Sequence, residues 1–327
     1  MKTTFQHQKI EQHIRSLKDH EKYNGSVFVA AQGEILLAKG YGLASIEWGA
    51  ANLRETVYRI GSITKPITAA AILTLVQQGK LQIADRVTTY LPGYPQWFGV
   101  TIEHLLTHRS GVPNLVMLPE FPQFSLLPHT IDELIVAFDD LPLNFEPGTQ
   151  FEYTNSGYIL LGKVIEVISG MTYADYVRQH VLIPAEMKNT RLDDARMIVP
   201  NCATGYELDP AGKMMRSAYI DMSNAHAAGG FLSTIDDLYR FDRALRSNRL
   251  FDHHLSQEMY ANHSQPYGYG WFTSIPPIVF HHGGINGFTS TMFRHLKRDF
   301  TVIALSNRVT PTTAALGQKL MDMLIEC

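Results

Sequence analysis

The chain has 327 residues, 45% hydrophobic and 18% charged, a composition that buries a large core and excludes disordered and fibrous classes. A formal net charge of -3 leaves no basic excess to release counterions, so nucleic acid and anionic membrane surfaces are excluded and small molecules or peptides are the expected partners. Two cysteines, Cys202 and Cys327, cannot staple a secreted scaffold, which points to the cytoplasm.

Met1 to Asn24 is polar and contains no apolar run or small-residue cleavage site of a secretion signal. Ile10, Ile14 and Leu17 recur at helical spacing there. Ser26 to Ala31, Gln32-Gly33 and Glu34 to Ala38 then read as a β-hairpin. The apolar stretch around Ala69 to Val76 is too short to cross a bilayer, so no transmembrane segment is expected. Helical patterns follow over Ile63 to Gln78, Ile102 to His108, Ile131 to Phe138, Ser156 to Ile168, Tyr173 to Val181 and Thr234 to Leu245. Short strand-like runs return at Tyr269 to Phe272, Ile278 to His282, Ser290 to Arg294 and Thr301 to Ser306, before a helical tail from Thr312 to Ile325. Strands at both ends with helices between them predict an α+β fold. Its central antiparallel sheet is built from both chain ends and flanked by terminal helices, with a mostly helical subdomain inserted. The expected division of the single domain 1–327 is a sheet subdomain, 1–61 plus about 265–327, and a helical one, about 62–264. A cleft between them is the natural binding site.

Three segments could carry chemistry. In Gly61-Ser62-Ile63-Thr64-Lys65 the lysine shares a helical face with the serine and can take its proton once burial makes the amine neutral. By itself that spacing is weak, because a serine at a helix start is usually a cap. Tyr153-Thr154-Asn155 precedes the helical run from Ser156; a phenol whose pKa is lowered by a cationic lysine can relay a proton, and an asparagine amide can hold a substrate carbonyl. His281-His282-Gly283-Gly284-Ile285 enters a glycine turn, where exposed N–H groups can join that of Ser62 around an oxyanion. His104 and His108 are spaced like metal ligands but lack a Glu-x-x-His companion, and Asp193-Asp194 and Asp236-Asp237 read as a loop and a helix start after the cap Thr234.

In this order the three segments resemble the serine β-lactamase and penicillin-binding-protein superfamily, in the branch of class C β-lactamases, D-alanyl-D-alanine carboxypeptidases, D-aminopeptidases and esterases. Leu105 to Gly111, Phe145 to Thr149, Ala228 to Phe231 and Tyr267 to Trp271 extend the resemblance over nearly the whole chain. It implies that Ser62 is acylated, that Lys65 and Tyr153 share proton transfer and that Asn155 positions the substrate amide. It places His282 and Gly284 in the third motif, with the N–H groups of Ser62 and Ile285 as the oxyanion hole. No metal or other cofactor is implied.

One departure matters. Class C β-lactamases have lysine where His282 is placed, and an unperturbed histidine, of pKa about 6.5, is mostly neutral at pH 7. The expectation is therefore an amide or ester hydrolase, a D-amino-acid peptidase or a carboxylesterase. Modest β-lactamase activity and a non-catalytic penicillin-binding sensor are the alternatives. Arg109 replaces the more usual threonine without evident consequence. Substrate choice is expected to lie in the loops Met117 to Pro128 and Asn201 to Asn224, and the oligomeric state is left open.

Overall fold

The computed structural model describes residues 8–16, 23–263 and 266–326. Leu17 and Cys327 lie outside them. The elements that frame the site are helix α1 (residues 8–16), strands β1 (Gly25–Ala31) and β2 (Glu34–Tyr41), helices α2 (Thr64–Gln77) and α3 (Asn155–Ser169), and the small hairpin β3 (Tyr206–Leu208) and β4 (Met214–Arg216). Helix α4 (Ile235–Arg246), strands β5 (Phe272–Ile275), β6 (Ile278–Ile285), β7 (Phe288–His295) and β8 (Phe300–Ser306), and helix α5 (Thr312–Ile325) follow.

A six-stranded antiparallel sheet of order β5-β6-β7-β8-β1-β2 forms the centre, joining the two chain ends where Gly25 pairs with Ser306 and Ala31 with Phe300. Alternation along β1 explains the layering. Val27 and Val29 face a cluster with Ile10, Ile14, Leu316, Leu320 and Leu324 of α1 and α5, whereas Phe28 and Ala30 face the larger core shared with the helical part. Helix α2 lies inside that larger core and is buried from Thr64 to Leu75, so it is apolar on every side rather than along one stripe.

Two expected elements are revised. Tyr269 to Trp271 is not strand: Gly270, at φ 80°, sits where a Cβ would meet Pro66 and the Lys65 carbonyl, so the chain turns there and the strand starts at Phe272. The helix from Tyr173 ends at Val177 and continues as a π-helical turn, Arg178–Leu182. Among the described residues, no helix is long and apolar enough to cross a membrane.

Candidate active site

Ser62 lies in a 3-10 turn, Gly61–Ile63, that runs straight into α2. Gly61 is left-handed at φ 50°, and a Cβ there would come within 2.8 Å of the Gly284 backbone. Glycine is therefore required on steric grounds, and it presses the serine's backbone against the edge of β6.

Lys65, one turn later, is fully buried. Its Nζ lies 3.2 Å from Ser62 Oγ, 2.8 Å from Asn155 Oδ1 and 2.9 Å from the Ala228 carbonyl. No carboxylate pairs with it among the described residues, and burial holds its pKa well below the usual lysine range. A neutral amine has two hydrogens and one lone pair. The two carbonyl oxygens can only accept, so they take both hydrogens and leave the lone pair facing the Ser62 hydroxyl. The geometry is that of a base aimed at an alcohol.

Tyr153 lines a cavity together with Ser62, and its ring centroid is 4.6 Å from Lys65 Nζ. The expectation of an acidified phenol is overturned. Burial raises the Tyr153 pKa, the neighbouring Ser62 offsets this only in part, and a neutral lysine supplies no cation to reverse it. The residue is thus a phenol, poised as a proton donor. Thr154 caps α3 by accepting from the Ser156 N–H, and Asn114 Oδ1 accepts from the Asn155 N–H at 3.1 Å, fixing the first residue of the helix. With Asn155 Oδ1 held by Lys65 and one amide hydrogen directed to Asn114 Oδ1 at 3.5 Å, one N–H of the amide is left for a ligand.

The third segment is shifted by one residue from its expected register. In the β6–β7 pair the Leu296 N–H donates to the Pro277 carbonyl, and the register runs unbroken to Ile285 opposite Phe288. Antiparallel alternation then turns the N–H groups of His281, Gly283 and Ile285 toward β7 and that of Gly284 toward the cleft. Gly284, not Ile285, is the strand donor beside Ser62. The side chains alternate likewise. His282 hydrogen-bonds Thr291 Oγ1 at 2.8 Å and packs on Phe293, toward the terminal helices. His281 is buried with its ring 6.2 Å from that of Tyr153. Its Nδ1 donates to the His282 carbonyl at 2.6 Å, leaving Nε2 to accept from the Tyr267 hydroxyl at 2.9 Å. Burial pushes its pKa well down, so His281 is a neutral acceptor that holds Tyr267.

Sequence reasoning also missed His108, Asn114 and the Ala228 carbonyl. His108 is buried, accepts from the Thr154 N–H through Nδ1 at 3.2 Å and lies 4.3 Å from the Tyr153 ring, so it braces the tyrosine. His104 closes a capping box with Thr101, and Thr234 caps α4 as expected.

Two cavities meet at Ser62. The larger, about 460 Å³, is lined by Asn155, Glu207 and apolar side chains from the segments around Phe121 and Ile220. The smaller, about 440 Å³, is lined by Tyr153, Phe272, both histidines, Thr310 and Thr313.

This architecture has well-defined relatives. The Beta-lactamase family profile matches residues 10–322, and the chain belongs to that family. Penicillin-binding protein 4* of Bacillus subtilis is 30% identical over 91% of this chain and 71% of its own length. An octameric penicillin-binding protein homologue from Pyrococcus abyssi superposes with a TM-score of 0.85 at 28% identity, covering 97% of this chain and 77% of that one. The D-amino acid amidase of Ochrobactrum anthropi SV3, solved with D-phenylalanine, gives 0.83 at 25% identity over 100% of this chain and 98% of that one. The chain thus has the hydrolase fold of the β-lactamase and penicillin-binding-protein superfamily.

Proposed function

We propose that this protein is a serine hydrolase that forms an acyl-enzyme at Ser62 on an amide or ester. The observation that carries the reading is the buried Lys65 amine, whose Nζ lies within hydrogen-bond distance of Ser62 Oγ and of two carbonyl oxygens, with no carboxylate paired to it among the described residues. Lys65 takes the Ser62 proton as Oγ bonds to the substrate carbonyl carbon. The resulting oxyanion is held by the N–H groups of Ser62 and Gly284. Collapse breaks the C–N or C–O bond, and the Tyr153 phenol gives its proton to the departing atom. Lys65 returns its proton to Tyr153. Water then repeats the sequence in place of the serine and releases the acid, while the Asn155 amide holds the acyl half. No step draws on a metal or other cofactor.

An amino-acid amide or peptide and a simple carboxylic ester are the two substrate classes consistent with this site, and the D-amino acid amidase relative supports the first. A β-lactam is disfavoured because both histidines of the third segment are pushed toward the neutral form by burial and give its carboxylate no fixed cation. The test is Ser62→Ala. It should abolish labelling by a fluorophosphonate and hydrolysis of p-nitrophenyl butyrate; retained hydrolysis would overturn the reading. A product burst equal to the enzyme, with no turnover after it, would instead favour a sensor. Side-by-side kcat/KM values on a D-Ala-D-Ala peptide, D-phenylalanine amide, p-nitrophenyl butyrate and nitrocefin rank the classes, with nitrocefin expected last.

A further inference from the structure

The two cavities at Ser62 are not equivalent, and the difference assigns each half of the substrate. Tyr153, which protonates the departing atom, lines only the smaller cavity, and Asn155, which holds what stays on the serine, lines only the larger. The acyl half therefore occupies the larger cavity and the leaving group the smaller.

The chemistry of each lining follows. In the larger cavity Val116, Phe121, Ile220, Phe288 and Val309 form apolar walls, and Glu207 is the only ionisable side chain in the described lining. Glu207 sits on β3, where Oε1 accepts from the Ala218 N–H at 3.3 Å, and it makes no ion pair with any described lysine or arginine. Asn286, beside it in the lining, donates one amide N–H to the Ala218 carbonyl at 3.0 Å and keeps its oxygen and its second N–H for a ligand. The Glu207 carboxylate can only accept, so the one charged group at this end favours a donor. The described lining of the smaller cavity has hydroxyls from Thr289, Ser290, Thr310 and Thr313, and neither lining contains lysine or arginine. A carboxylate placed in either cavity would lose its hydration without gaining a counter-charge.

We infer that Glu207 selects substrates by charge: the acyl half carries a cationic amino group beside an apolar side chain, and the leaving group is uncharged. The substrates are amino-acid amides or esters with a free amine, rather than peptides or lactams with a free carboxylate. This inference rests on the acyl-enzyme reading of Ser62.

The experiment compares phenylalanine p-nitroanilide with its N-acetyl and N-succinyl derivatives, each as both enantiomers, on the wild type, Glu207→Gln and Glu207→Lys. In the wild type kcat/KM should fall by about tenfold from free amine to acetyl and again from acetyl to succinyl, the scale of one charge-assisted hydrogen bond. In Glu207→Gln the amine-to-acetyl ratio should drop to within about threefold of unity, and in Glu207→Lys the succinyl compound should overtake the amine. Ratios measured on one preparation do not depend on how much of a variant is folded. A wild type that prefers the acetyl or succinyl compound, or an amine preference that survives both substitutions, overturns the inference. If Ser62 is not labelled by a fluorophosphonate and p-nitrophenyl butyrate is not cleaved, the acyl-enzyme reading fails and the inference falls with it. Labelling and ester cleavage without an amine preference defeat the charge selection alone.

Discussion

The protein buries two kinds of basic side chain, and they are handled in opposite ways. Under α4, Arg294 is enclosed with Asp242, which also accepts from Arg246 Nε at 3.0 Å and Thr301 Oγ1 at 2.9 Å. Burial alone would raise the Asp242 pKa, but the two arginines reverse this and hold it below its ordinary value, so every member stays charged. Lys65 is as deeply buried but has only uncharged acceptors. Pairing preserves a charge as structure, whereas isolation removes it and leaves a base.

Substitutions at the two sites should separate these roles. Lys65→Met should lower kcat/KM on p-nitrophenyl butyrate by about 10⁴-fold, the upper range for a general base, in a protein that still unfolds cooperatively. Asp242→Asn should do the reverse, costing about 3–5 kcal/mol in urea unfolding because it strands buried guanidinium groups, with activity per folded molecule retained. An activity loss in Asp242→Asn without destabilisation would break the comparison. Tyr153→Phe removes the proposed proton donor and should cost about 10²-fold, less for p-nitrophenyl butyrate than for an anilide, because nitrophenolate leaves without a proton.

The smallest effect is on pH dependence. Between the lowered folded pKa of Lys65 and its ordinary value of 10.5, the unfolded chain binds one more proton than the folded one, so this residue makes stability rise with pH across that window. Comparing wild type with Lys65→Met by denaturant titration from neutral to alkaline pH should show that slope, about 1.4 kcal/mol per pH unit, disappear in the variant. Activity should fall as acid protonates the amine; a rate that rises instead would argue for a cationic Lys65.

The fold and half of the candidate site were legible in the sequence because they rest on local periodicity. Ser62 and Lys65 meet through helical spacing, Thr154 announces the start of α3, and the strand runs at both ends gave the sheet. Protonation states were not legible, since the acidified Tyr153 assumed a charge on Lys65 that only its surroundings could decide. The register of His281 to Ile285 was missed although a signal was present. Asn286-Gly287 is a two-residue hairpin loop, with Gly287 at φ 78°, and it makes Ile285 and Phe288 the closing hydrogen-bonded pair. Counting back by twos from that pair frees the Gly284 N–H and puts His281 and His282 on opposite faces. Glu207 was illegible for another reason: nothing around it in sequence marks it, and only folding brings its hairpin to the cleft.

The pairing of β1 with β8 also orders events in time. The Ser306 hydroxyl bonds to the Asn24 carbonyl across 282 residues, and β6, which carries Gly284, joins the sheet only through β7 and β8. A ribosome synthesising this chain delivers Ser62 and Lys65 well before Gly284, so the two walls of the cleft cannot meet until β6, β7 and β8 have followed.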